Sequence, residues 1–121
     1  MERALDPIFI QARTVIEDVL DSAGYHLAAE THYPDAFGSA DTEYRGRHER
    51  IRLVWDGKDR WLGLSIAKTA ASNQHPLSSE WRPLEPERAT APQQFLRSGV
   101  AADARIAELR EALLRHLGAA V

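Results

Sequence analysis

A chain of 121 residues with 44% hydrophobic and 27% charged side chains falls in the size range of one globular domain and is too apolar for wholesale disorder. It contains no cysteine, which excludes disulfide frameworks, thiolate catalysis and cysteine-ligated zinc, and suits a reducing cytoplasm. The net charge of −3 is unevenly spread: residues 1–40 hold two arginines against seven acids, and residues 41–68 hold seven Lys and Arg against five acids. A mildly basic middle with interleaved acids argues against a general nucleic-acid binder.

The first residues carry Glu2, Arg3, Asp6 and Arg13, which interrupt the apolar run that a signal peptide or membrane span needs, so a cytoplasmic protein is expected. A helix is expected over 6–23. Asp6 is a good N-cap, Pro7 falls where its missing N–H costs nothing, and Leu5 and Ile10 occupy the staple positions. Ile8, Ala12, Val15, Ile16, Val19, Leu20 and Ala23 mark one apolar stripe, and Gly24 stands at the C′ position.

"YHLAAET" alternates apolar and polar residues and reads as a short strand stopped by the turn-forming "HYPDAFGS". Beyond it, two turns set the registers. With Gly46-Arg47-His48-Glu49 as a turn, Tyr44 lies beside Ile51, Thr42 beside Leu53 and Glu43 beside Arg52. With Asp56-Gly57-Lys58-Asp59 as a loop, Trp55 faces Arg60, Leu53 faces Leu62, Ile51 faces Leu64 and Glu49 faces Ile66. A two-residue Asp56-Gly57 loop matches apolar partners less well, and a three-residue loop changes the parity.

The expectation is an antiparallel meander of three to four strands over 25–67. Its inner face is Tyr44, Ile51, Leu53, Leu62, Leu64 and Ile66. Its outer face is Asp41, Glu43, Arg45, Arg50, Arg52, Val54, Trp61, Gly63 and Ser65. Trp55 and Trp61 point to opposite faces, Trp55 to the rim of the core.

Residues 69–89 form a polar connection with Pro76, Pro83 and Pro86, and so long a loop should be pinned, with Trp81 and Leu84 the candidates. The helical C-terminal part spans 90–117. Thr90 and Gln93 make a capping-box pair for a short helix through Phe95 and Leu96, closed by Gly99. A last helix carries Ile106, Leu109, Leu113 and Leu117 and ends at Gly118. The fold class is α+β in one domain, with the N-terminal helix and a C-terminal helix or helix pair packed on one face of the sheet.

No motif assigns chemistry. Glu30, His32 and Asp35 in "ETHYPD" are of metal-ligand type, but no second histidine stands nearby, so a solvated strand end is the reading adopted. His26, His32, His48, His75 and His116 are scattered without a triad spacing, and "GSADTEYRG" lacks the glycines and context of a phosphate loop. No catalytic residue, metal or cofactor is assigned. The outer face is the candidate partner-binding surface. There Trp61 would be the apolar anchor, Arg50 and Arg52 charge-assisted donors, and Glu43 the acid that holds Arg52 in place. Trp61 needs cover, either from the 69–89 connection or from a partner.

The residues "FGS" (37–39), "IRLVWDG" (51–57) and Trp61 together resemble a group of small uncharacterised bacterial proteins, some of them immunity-like proteins of polymorphic toxin systems. The likeness covers about the middle third of the chain. It carries over no catalytic residue, and implies a compact α+β protein that binds another protein. The first expectation is therefore a cytoplasmic, non-enzymatic binding domain of immunity or inhibitor type. Two alternatives stay open: a small-ligand or enzymatic pocket between the sheet and the 69–89 connection, using His32, Asp35 or His48, and a secretion-chaperone-like homodimer.

Overall fold

The computed structural model of the chain describes residues 5–68, 81–85 and 99–119. Helix α1 (Pro7–Ser22) precedes strands β1 (His26–Tyr33), β2 (Ser39–Arg45), β3 (Glu49–Asp56) and β4 (Trp61–Lys68); the two-residue strand β5 (Arg82–Pro83) and helix α2 (Gly99–Ala119) follow. The strands form one antiparallel sheet in the order β1-β2-β3-β4-β5, and side chains of both helices join its inner face in one core. The fold is α+β.

The ends of α1 follow from its sequence. The Asp6 carboxylate accepts the N–H of Ile8 at 2.8 Å. At the other end, Gly24 adopts φ 86°, which lets its N–H reach the Asp21 carbonyl at 3.1 Å and the Tyr25 N–H reach Leu20 at 2.9 Å. These two bonds satisfy carbonyls that a helix end otherwise leaves open. The buried stripe is Phe9, Ala12, Ile16, Val19 and Leu20. Phe9 thus heads it rather than Ile8, which with Val15 flanks the core half-buried, while Ala23 is exposed.

On the sheet, Ala40, Thr42, Tyr44, Ile51, Leu53, Trp55, Leu62 and Leu64 are buried under the helices. The β2–β3 register is the expected one, with Tyr44 opposite Ile51, Thr42 opposite Leu53 and Glu43 opposite Arg52. The β3–β4 register is one pair further on. Trp55 meets Leu62 rather than Arg60, Leu53 meets Leu64, Ile51 meets Ile66 and Glu49 meets Lys68.

The cause lies in the turn. Asp56 belongs to β3, and its carboxylate accepts the N–H groups of Lys58 at 3.0 Å and Asp59 at 3.1 Å, so the loop is Gly57 to Arg60, with Arg60 left-handed at φ 51°. Because the loop keeps four residues, side-chain parity and the two faces are unchanged. Trp55, expected at the core rim, is only 1% exposed.

Two elements extend beyond the sequence expectation. β1 runs on to Tyr33, with a bulge between Leu27 and Ala29. β5 adds a fifth strand, pairing Ser65 with Pro83 and Ile66 with Arg82, and the Leu84 N–H continues the ladder to the Leu64 carbonyl at 2.8 Å. Leu84 lies half-buried against the core. Residues 69–80 and 86–98 lie outside the described residues, and with them Pro76, Pro86 and the short helix expected around Phe95 and Leu96. Gly99, expected to close that helix, is the first residue of α2, which buries Ala102, Arg105, Ile106, Leu109, Ala112 and Leu113 and continues past Gly118.

Candidate functional site on the outer sheet face

Strand alternation directs Asp41, Glu43, Arg50 and Arg52 away from the helices, as the sequence pattern predicts; Trp61 has the same parity, but its ring packs against the core and under an arginine of α2. Their pairing differs from expectation. Glu43 engages Arg50 rather than Arg52, at 2.6 Å, and both side chains are buried, Arg50 to 2% exposure. The diagonal across β2 and β3 makes this possible: Glu43 sits directly opposite Arg52, but Arg50, one step along the same face, folds back onto it. A buried ion pair of this kind positions its strands more than it stabilises them, since each charge loses its water.

Arg52 turns the other way. Its guanidinium lies over the Trp81 ring at 4.5 Å, and its charge also acts on Asp41. Burial raises the Asp41 carboxyl above its ordinary range; the charge of Arg52 and a hydrogen bond from the Tyr33 hydroxyl oppose the rise, and Glu43 adds to it. Tyr33, Asp41, Arg52 and Trp81 therefore form one ladder of aromatic and charged groups across the sheet, and Tyr33 is 45% exposed at its end.

Trp61 is half-buried at the start of β4, opposite Asp56, where the loop expected from the sequence sets it opposite Val54. Its ring is covered from within the chain. The Arg105 guanidinium of α2 lies over it at 4.4 Å, donates to the Leu62 carbonyl from two nitrogens at 3.1 and 3.0 Å, and pairs with Glu85 at 3.0 Å. Leu62 stands two residues before Leu64, whose carbonyl receives the Leu84 N–H, so the guanidinium continues the donor row that β5 begins. Sequence reasoning missed Arg105, because it sits among core positions of an amphipathic helix, where an apolar residue is the default.

On the helix side, Glu49 of β3 stands between two partners. His116 Nε2 of α2 lies 2.5 Å from its carboxylate, and the Tyr25 hydroxyl bonds the same group. Burial, with the charge and hydrogen bond of Glu49, pushes the Tyr25 hydroxyl up to about 12. This cluster was also missed, since its members are 24 and 67 residues apart in the chain and share no motif. A parallel linkage joins α1 to the sheet: the Tyr44 hydroxyl donates to Glu17 at 3.0 Å, and Arg13 pairs with Glu30, which also accepts from Thr42 Oγ1 at 3.2 Å.

Glu30 is thus engaged with α1 and the adjoining strand. His32 and Asp35 fall at the far end of β1, whereas His48 lies in the β2–β3 turn at the opposite end of the sheet, so the fold does not bring the expected acid–base residues together. Among the described residues there is no group of three His, Asp or Glu placed to hold a metal ion, and no helix long and apolar enough to cross a membrane.

The segments that carry the sequence resemblance do meet. Gly57 packs so closely against the 37–39 turn that a Cβ there would come within 2.1 Å of the Phe37 carbonyl oxygen, and its N–H donates to Ser39 Oγ at 2.9 Å. Phe37 itself is left-handed at φ 59° and 57% exposed. Compared with known proteins, the chain matches no family model, no curated protein and no solved structure.

Proposed function

We propose that the protein is a non-enzymatic, cytoplasmic protein-binding domain of the immunity or inhibitor type, and that it meets its partner through the outer face of the sheet. The observation that carries this reading is the ladder of Tyr33, Asp41, Arg52 and Trp81 on the face opposite both helices. Aromatic and arginine side chains fixed on a rigid sheet make effective anchors, because little side-chain freedom is lost on binding. Arg52 and Trp61 are half-exposed and remain the contact residues of this reading, while the buried Glu43–Arg50 pair supports the face from beneath. The resemblance of the 37–39 and 51–57 segments to immunity-like proteins supports the same direction.

Affinity capture from native extract, comparing the natural chain with an Arg52→Glu variant of equal thermal stability, tests the reading. One protein retained in stoichiometric amount by the natural chain and lost with Arg52→Glu is the expected result. An identical retained set for both chains rejects the outer face as the binding surface.

A second reading, a chaperone-like homodimer, draws on one observation. β1 is an eight-residue edge strand, exposed along most of its length, with Leu27 56% exposed. An open ladder edge is a ready template for another strand. Sedimentation equilibrium separates the readings, since a monomer across the working concentration range removes the dimer.

A further inference from the structure

An open cleft of about 600 Å³ lies where the start of β1 meets the β2–β3 turn, lined by Gly24, Leu27 and Ala28 and by the basic residues His26, Arg45, Arg47 and Arg50. Among the described residues its lining holds no carboxylate. The groove between the helices differs in this respect: it sets Arg13 and Arg110 among Glu17, Asp18 and Asp21, so its charges offset one another.

The basic lining arises from a broken pairing rule. His26 stands directly opposite Arg45, and Arg45 directly opposite Arg50, so three basic side chains run side by side over three strands of one sheet face. Like charges in directly opposed positions destabilise an antiparallel pair. Glu43 offsets Arg50. Among the described residues, neither Arg45 nor the turn residue Arg47 has an ion-pair partner. Places where a fold keeps such a local conflict are where function is sought. The bulge between Leu27 and Ala29 opens the site, because it sets Ala28 outside the regular ladder beside the arginines.

We propose that this cleft binds a phosphate group, carried by a small phosphomonoester. With Arg50 offset by Glu43, Arg45 and Arg47 leave two positive charges, and a phosphomonoester at neutral pH carries about −1.5 to −2. Guanidinium groups match its oxygens with paired N–H donors, and Arg50, itself buried, forms a fixed wall for the site. This cradle differs from a glycine loop or a helix N-terminus: its anion contacts are side chains on a sheet. A cleft of this volume accommodates a ligand larger than the phosphate alone, with Leu27 and Ala28 as apolar lining for the rest of the molecule.

Calorimetric titration of the isolated chain with glycerol 3-phosphate, with inorganic phosphate and with sodium chloride at matched ionic strength tests the proposal without reference to any protein partner. Saturable binding of glycerol 3-phosphate, absent with chloride, is expected, and it should weaken by about tenfold in Arg45→Gln, the loss of one charge-assisted contact. Equal affinity for inorganic phosphate would assign the site to the free anion and overturn the phosphomonoester. A response no different from chloride, or an unchanged affinity in Arg45→Gln, overturns the site altogether. Should Arg45→Gln fail to fold, the exposed Arg47→Gln decides in the same way, since unchanged affinity there also rejects the cleft.

Discussion

Arg105 and Trp61 lie 4.4 Å apart as a stacked pair, and the same guanidinium donates to the carbonyl of Leu62, the residue next to that tryptophan. The indole is therefore part of the joint between α2 and the sheet. Trp61→Ala should lower unfolding free energy by about 2 kcal/mol, less than a fully buried tryptophan would lose. Arg105→Ala should cost about 1–3 kcal/mol, because a buried carbonyl loses its donors. Urea unfolding of both single variants and the double variant measures the coupling. Strictly additive effects would mean that the two side chains act independently.

The Glu43–Arg50 pair gives a prediction with opposite signs for single and double changes. Glu43→Ala removes the carboxylate from a buried guanidinium and should destabilise the protein by about 3–5 kcal/mol, whereas Glu43→Leu with Arg50→Met removes both charges and should be closer to neutral. Denaturant midpoints of the variants check this. A double variant as unstable as Glu43→Ala would show that the charges do more than satisfy each other.

Much of the framework was legible in the sequence. The N-cap at Asp6, the end of α1 at Gly24, the parity of β2, β3 and β4 and the β2–β3 register all follow from local rules with few competing solutions, whereas the bulge between Leu27 and Ala29 breaks the alternation expected of β1. The β3–β4 register was expected one pair short because Asp56 was assigned to the loop. Its carboxylate bonds to Lys58 and Asp59 are what keep it at the end of β3. The observed pairs Trp55–Leu62, Leu53–Leu64, Ile51–Ile66 and Glu49–Lys68 match partner chemistry better than the expected ones, so the sequence carries the register once Asp56 is placed in β3. Arg105 and the Tyr25–Glu49–His116 cluster carried no such signal. They depend on α2 meeting the sheet, which no local pattern encodes.

Two glycines in neighbouring parts of the sheet should respond oppositely to the same change. A Cβ on Gly57 would lie 2.1 Å from the Phe37 carbonyl oxygen, a backbone atom that cannot swing aside, whereas a Cβ on Gly63 meets nothing within 4 Å. Gly57→Ala should therefore destabilise by about 1–3 kcal/mol or more through forced separation of the two turns. Gly63→Ala should be neutral or add about 0.5 kcal/mol, because alanine has less chain freedom to lose within a strand. Thermal unfolding midpoints that move together in the two variants would contradict the turn-to-turn contact.

Alkaline pH should weaken the Tyr25–Glu49–His116 joint. The Tyr25 hydroxyl is raised from 10.0 to about 12, chiefly by burial and then by the Glu49 carboxylate. A raised folded-state value means that the folded protein holds this proton more tightly than the unfolded chain does. The stability so gained is complete below pH 10 and is lost as pH rises toward 12. Burial, the Glu17 hydrogen bond and its charge raise Tyr44 as well, so it contributes in the same sense. Tyr25→Phe should make the protein less stable at neutral pH, through loss of its bond to Glu49, yet flatten the alkaline decline. Unfolding free energies measured from pH 8 to pH 12 for the natural chain and Tyr25→Phe should converge toward the alkaline end. Parallel curves would mean that Tyr25 titrates as an ordinary exposed phenol and that the joint is held by Glu49 and His116 alone.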